Sequence, residues 1–426
     1  MRYAPIKCEL FQNNRNRFFK ELLDNSIAIF HSNDLMPKNA DQLMAFKQNS
    51  DLFHLSGIDQ EETILVVVKK DKKLNEFLFI RETNETIKIW EGEKLSKKKA
   101  QQKSGIKEVF WSIDFKSMLP KIMSGINNIY LNSNDHPRAN VIVESRDARF
   151  KKWIEAKYPR HVYKKSSDIL YGLRAIKQPQ EIELVQHACN ITKRGVHRVC
   201  KHLRPGIYEY ELGAEILHEF LINRATGFAY DPIIASGSNA CVLHYGLNNS
   251  VCQDGDVVLM DFGAEYANYA SDLTRCFPVN GTFSKRQRSV YNSVLRVMKE
   301  AKSLLRPGVF LEEYEKWVGK LMEKELCDLG LISMKEIKGF EKTPAYKKYY
   351  MHGTSHHLGL DVHDVSDPSR PIAEGMILTC EPGIYIPEEN LGVRLENDIL
   401  IGKNKNTDLM KDIPIEADEI EQLLNI

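Results

Sequence analysis

The sequence predicts a two-domain protein of the α/β (α+β) class: a mixed α/β N-terminal domain, then a second domain built from two similar halves. Three observations predict it. The chain has 426 residues, too many for one hydrophobic core. Its first part alternates strand-like with helix-like stretches. Its second part repeats a five-residue segment at corresponding places.

In the first part, Ser26 to Phe30, Glu62 to Lys69, Glu76 to Ile80 and Asn128 to Leu131 are apolar runs of strand length. Charged segments such as Glu93 to Gln102 read as helices between them, and none carries a chemical cluster. The run from Lys151 to Asp168 is polar and basic and puts the boundary near Gly172, giving domains of residues 1–172 and 173–426. A long helix then opens at Pro179 and Glu181, proline in the first turn and acid just after it. Ile182, Val185, Ala188, Cys189 and Ile191 form its apolar stripe. Leu203-Arg204-Pro205-Gly206-Ile207 recurs as Leu305-Arg306-Pro307-Gly308-Val309, each copy after a predicted helix and before an acidic, tyrosine-containing stretch. Two such matches point to a duplicated half; the competing reading is one helix-stop solution used twice.

Bulk properties narrow the function. With 59 basic and 58 acidic residues the net charge is +1, which gives no reason to expect nucleic acid or an anionic membrane as partner. The longest apolar runs, such as Ile64 to Val68, are too short to span a bilayer. The start, MRYAPIKCELFQNN, lacks a basic head followed by an apolar stretch. Eight scattered cysteines with no CxxC pair read as reduced thiols, so the cytoplasm is the expected compartment.

The chemistry is concentrated in the second domain. Asp256 to Phe277 reads as two strands around a turn at Tyr266-Ala267, which would set Asp261 directly opposite Asp272. Opposed carboxylates about 5 Å apart at Cβ repel unless a cation lies between them. Two solvated aspartates in an exposed hairpin is the competing reading. Met351 to Asp364 then packs His352, His356, His357 and His363 into one segment of a chain with 13 histidines, and Gly353, Thr354, Ser355 and Gly359 leave room around the rings. Glu381 ends the run Met376 to Cys380 before a Pro-Gly turn, and Glu396 lies in an alternating strand from Gly392 to Ile401, on one face with Arg394 and Asp398. Asp261, Asp272, His356, Glu381 and Glu396 make a hard, oxygen-rich donor set. Mn²⁺ suits it best, with Co²⁺, Fe²⁺ and Zn²⁺ as alternatives.

These motifs carry a resemblance. DFGAEYANYASDLTRCFPVNG, HGTSHHLGLDVHD, EPGIY and VRLEND stand in the order and spacing of the pita-bread metallopeptidases, and the chain is most similar to their Xaa-Pro aminopeptidases (aminopeptidase P) and prolidases. Asp51 to Gly57 followed by Ile64 to Val68 is similar to the creatinase-like N-terminal domain of those enzymes. The resemblance implies a creatinase-like domain followed by a pseudo-two-fold pita-bread catalytic domain. It implies two divalent ions, one chelated by Asp261, both bridged by Asp272 and Glu396, and the second held by His356 and Glu381. It adds His244, His352 and His363 as substrate-side histidines and assigns none to His357.

The implied reaction is removal of an N-terminal residue that precedes a penultimate proline. Two ions sharing a water or hydroxide make the nucleophile and polarise the carbonyl. Glu381 accepts the water's proton and passes it to the leaving nitrogen, His244 and His363 donate to the tetrahedral oxygen or the substrate backbone, and His352 shapes the pocket. Arg394 has two readings, orienting a ligating carboxylate or pairing with Asp398 on the surface. The proline itself comes from the resemblance alone, as does the expectation of a homodimer or homotetramer. Prolidase, which cuts Xaa-Pro dipeptides, is the nearest alternative. Methionine aminopeptidase usually lacks the large N-terminal domain, creatinase uses no metal, and a non-catalytic binding module would have lost ligands that are all present here.

Overall fold

The structure, a computed structural model, describes residues 3–339 and 343–425. They divide into two compact units, residues 4–174 and Tyr3 with residues 175–425. The first unit is a six-stranded mixed sheet in the order Glu108–Trp111, Lys73–Ile80, Ile64–Lys70, Ser26–His31, Asn128–Leu131, Val162–Lys165. Ile64 to Val68 is apolar at every position because this strand is buried on both faces. Leu65 and Val67 pack with Phe30, Leu78 and Ile80 on one side, and Val66 and Val68 with Ile27, Ile29 and Phe79 on the other.

The structure adds detail at one place in the N-terminal sequence and corrects another. The polar, basic run from Lys151 to Asp168 is itself structured. The helix Arg146–Lys157, capped by the Ser145 hydroxyl accepting from the Ala148 amide, runs into it. Val162–Lys165 then adds an edge strand parallel to Asn128–Leu131. The helix expected over Glu93 to Gln102 is Lys97–Ser104, because the Ser96 hydroxyl accepts from the Lys99 amide and starts it there.

The second unit turns the sequence echo into architecture. Leu203–Ile207 joins the helices Pro179–Cys200 and Glu209–Ile222, and Leu305–Val309 joins Lys285–Leu304 and Leu311–Asp328. Both glycines take the left-handed backbone, Gly206 at φ 87° and Gly308 at φ 92°. Each copy also makes the same pair of backbone bonds to a distant segment. Gly206 N–H donates to Cys252 O (2.9 Å) and Cys252 N–H to Ile207 O (2.8 Å). Gly308 N–H donates to Ile372 O (2.9 Å) and Ile372 N–H to Val309 O (2.8 Å). A shared helix-stop does not produce matching long-range partners; a repeated supersecondary unit does.

Each half carries an interrupted antiparallel ladder. In the first, Val257–Asp261 pairs with Thr274–Pro278, and Ala264–Tyr266 with Tyr269–Ala270. The turn is Ala267-Asn268, both at positive φ, and not Tyr266-Ala267. That one-residue shift puts Asp261 opposite Thr274, so the predicted direct facing of Asp261 and Asp272 does not occur. In the second half the expected continuous strand from Gly392 to Ile401 is two strands, Leu391–Arg394 and Asn397–Leu400, separated at Leu395-Glu396. Their partners are Gly383–Ile386 and Ile377–Cys380. Counting inward from Cys380↔Asn397 and Gly383↔Arg394 sets Glu381 opposite Glu396. The facing acidic pair is a glutamate pair.

Candidate metal centre

The predicted ligands stand at the ends and gaps of these ladders, where the backbone has left the regular sheet. Asp261 ends its strand; Asp272 lies between Tyr269–Ala270 and Thr274–Pro278; Glu381 and Glu396 occupy the facing gaps of the second half. Three are held below the surface, Asp261 at 8% exposed, Asp272 at 4% and Glu396 at 1%, while Glu381 is half-buried. Donor atoms of Asp272, His356 and Glu396 all lie within 4.8 Å of one another. Glu381 joins them, with one carboxylate oxygen 3.6 Å from His356 Nε2, while Asp272 Oδ2 is 3.3 Å from that nitrogen. Asp261 is tied in by Tyr230, whose hydroxyl is 2.6 Å from Asp261 Oδ1 and 2.5 Å from Asp272 Oδ1.

Whether this set fits a cation is decided by its hydrogen bonding. His356 Nδ1 lies 3.0 Å from the His357 carbonyl, which only accepts, so Nδ1 carries the hydrogen. The lone pair of neutral His356 then sits on Nε2, aimed at two carboxylates. A proton or a metal ion must lie there. Without metal it is a proton. Burial alone would lower the His356 pKa, but the Asp272 hydrogen bond and the Glu381 charge outweigh it and raise it to about 9. Burial beside like charges pushes Glu396 well above the usual carboxylate range, and one of its oxygens is buried with no hydrogen-bond partner. Burial also lifts Glu381 to about 7 against the pull of His356 and Arg394. Clustered buried carboxylates forced to hold protons are a site for divalent cations.

A second network borders the ligands. Arg394, 4% exposed, donates to Asp261 Oδ2 (2.5 Å), to the Tyr385 hydroxyl (2.8 Å) and to Thr274 Oγ1 (3.2 Å). The surface pair with Asp398 does not form. Asp398 is buried and accepts instead from the Asp272 amide (3.1 Å) and the Cys189 thiol (3.4 Å). Since Tyr385 receives Arg394's N–H, its own proton goes to His352 Nε2 at 2.7 Å, and His352 Nδ1 donates to the Gly353 carbonyl at 2.7 Å. Burial and the Arg394 charge lower the His352 pKa to about 3, so this ring is neutral. His363 stacks edge-on against His356, ring centres 4.5 Å apart. His244 is exposed. His357 is buried; its carbonyl, not its ring, serves the site.

Nothing in the sequence singles out Tyr230. It stands alone in Phe228-Ala229-Tyr230-Asp231-Pro232, with no spacing relation to either aspartate. Thr274, which donates to Glu396 Oε2 at 2.7 Å, was equally hidden, because it becomes a neighbour only through the corrected register.

Comparison with known proteins agrees with the two-part architecture. Residues 183–403 match metallopeptidase family M24, and residues 11–130 match the aminopeptidase P N-terminal domain. The chain is 34% identical to the Xaa-Pro aminopeptidase of Haemophilus influenzae over 99% of this chain and 98% of that protein. It is 31% identical to human Xaa-Pro aminopeptidase 3 over 89% of this chain and 76% of that one. Zinc-substituted Escherichia coli aminopeptidase P in complex with product superposes with a TM-score of 0.89 at 32% identity, covering 99% of both chains. Proline aminopeptidase P II of Yersinia pestis gives 0.89 at 31%, covering 99% of this chain and all of that one. With a pita-bread catalytic domain behind an aminopeptidase P N-terminal domain, the chain belongs to metallopeptidase family M24, in its aminopeptidase P branch.

Proposed function

We propose that this chain is a metallo-exopeptidase that hydrolyses the bond between an N-terminal residue and a penultimate proline. The observation that carries it is the Asp272–His356–Glu396 group, three donors from three chain segments within 4.8 Å of one another, in a chain of this family. Asp261, Asp272, His356, Glu381 and Glu396 would hold two divalent ions, with Mn²⁺ the best match to so oxygen-rich a set. When bound, such ions supply an activated water and polarise the scissile carbonyl.

The remaining steps belong to the chain's own groups. Glu381 would take the proton from the attacking water and hand it to the proline nitrogen, which has no N–H and must be protonated to leave. His244 and His363 would donate to the substrate. His352, kept neutral and fixed between Tyr385 and the Gly353 carbonyl, would form the pocket wall. Arg394 would orient Asp261.

All eight cysteines are free, which fits a reducing compartment, and we place the enzyme in the cytoplasm. No helix among the described residues is long and apolar enough to cross a membrane. A homodimer or homotetramer is the assembly expected, and light scattering measures it.

The deciding experiment compares a Xaa-Pro dipeptide with a Xaa-Pro-Xaa tripeptide, using chelator-stripped enzyme given back Mn²⁺. Cleavage of the tripeptide before proline is expected. Turnover of the dipeptide alone would make the enzyme a prolidase.

A further inference from the structure

Two glutamates outside the ligand set, Glu209 buried and Glu315 half-buried, carry hydrogen bonds that their own helices do not need. Glu209, fully buried, opens the helix Glu209–Ile222 just after the first Leu-Arg-Pro-Gly segment. Its carboxylate does not cap that helix, since Glu211 accepts from the Tyr208 amide. It reaches out to one loop instead. Oε1 accepts from the Ser236 amide (2.8 Å) and the Asn239 side chain (3.0 Å), and Oε2 from the Tyr245 hydroxyl (2.9 Å) and the Ser250 amide (2.9 Å). That loop carries His244.

Glu315 lies in the helix after the second Leu-Arg-Pro-Gly segment, about one turn further along than Glu209 lies in its own. Too deep in the helix to cap it, the carboxylate accepts from the Thr354 amide (2.8 and 3.0 Å to its two oxygens), the Thr354 hydroxyl (3.0 Å) and the Ser355 amide. His352 and His356 stand two residues to either side of Thr354. The Thr354 carbonyl in turn accepts from the Glu381 amide at 2.8 Å.

Taking a carboxylate out of water is costly, in full for Glu209 and in part for Glu315, and four or so charge-assisted bonds into one irregular loop are a strong way to fix that loop. Neither glutamate has a cation among these partners; all are loop donors. We infer that Glu209 and Glu315 are a matched pair of positioning residues, one per half of the catalytic unit, which fix the His244 loop and the His352–His356 loop respectively. The inference rests on the reading of His244 and His352 as substrate-side groups.

Double-mutant cycles on the full-length, Mn²⁺-loaded enzyme test it. In Glu209→Gln and Glu315→Gln the side chain keeps its size but turns an NH₂ toward N–H donors. Each should lower kcat on a Xaa-Pro-Xaa peptide by about 10–100-fold, with KM changed far less. Within a pair the losses should not multiply. Glu209→Gln in a His244→Ala background should cost less than about twofold more, and Glu315→Gln should cost clearly less in a His352→Ala background than alone, the remainder acting through His356 on the same loop. Across pairs they should multiply. Amide hydrogen exchange should quicken only in residues 236–250 for the first variant and only around 353–355 for the second.

Multiplying losses within pairs, or faster exchange spread over the whole unit, would overturn the proposal. Histidine variants with full activity beside crippled glutamine variants would overturn it too, while leaving the metallopeptidase reading intact. Should a glutamine variant not fold, Tyr245→Phe and Thr354→Val each remove one donor from the loop side and enter the same cycles. The exchange pattern reads loop anchoring independently of peptidase activity.

Discussion

At the residue scale, the metal centre is governed by how many protons it must lose. In the metal-free protein His356 and the carboxyl groups of Asp272, Glu381 and Glu396 are all raised, so cation binding displaces protons. Metal affinity should therefore rise with pH, weak at about pH 6 and much tighter at about pH 8. Calorimetry in buffers of different ionisation heats would count the released protons. Zero release would contradict the protonated cluster described above. Tyr230 is the second test at this scale. It offers one proton to two aspartates, and Tyr230→Phe removes the hydroxyl that links them. Metal affinity should fall about 10–100-fold, read by competition with a fluorescent chelator. An unchanged affinity would make Tyr230 mere packing. The candidate ligands could be picked out in the sequence because carboxylates and imidazoles carry their chemistry in their names. Tyr230, Glu209 and Glu315 were not, because a lone residue says nothing until the fold supplies its neighbours.

At the scale of elements, the register of one hairpin decided what could be seen. Moving the turn from Tyr266-Ala267 to Ala267-Asn268 shifts every pairing along the ladder, and with it the partner of Asp261. The turn residues gave weak guidance, since an alanine at positive φ is unusual. The central strands of the N-terminal sheet were legible as apolar runs, whereas the edge strands Glu108–Trp111 and Val162–Lys165 were not; runs of only four residues, partly exposed, form a strand only when a neighbour is already in place. The repeated Leu-Arg-Pro-Gly segment makes a sharper claim about energetics. Around Gly206 and Gly308 an added Cβ would meet nothing within 4 Å, so only the left-handed backbone resists substitution. Gly206→Ala and Gly308→Ala should each cost about 1 kcal/mol, and the same amount, in urea unfolding followed by circular dichroism. A clear inequality would mean that the two copies share a sequence but not a structural task.

At the scale of the whole molecule, the family match and the fold agree over nearly all of the chain, while the chemistry is confined to residues 175 onward. Duplication explains why that unit is large for so small a centre. Each half repeats the helix–loop–helix frame, yet their donations differ: Asp261 and Asp272 come from the first, His356, Glu381 and Glu396 from the second. The halves meet in sequence at a turn around Gly281, where Asn280 and Thr282 are exposed.

Neither half therefore owns the Asp272–His356–Glu396 group. Cut at that turn, the enzyme should become two inert pieces that regain tight divalent-metal binding and peptidase activity only on recombining. Titrating one fragment with the other should give activity that saturates at a one-to-one ratio, and a fragment that binds Mn²⁺ as tightly alone as the intact chain would disprove it. Fused to two other proteins, the pieces would report whether those proteins had come together, with proline release from a peptide as the signal.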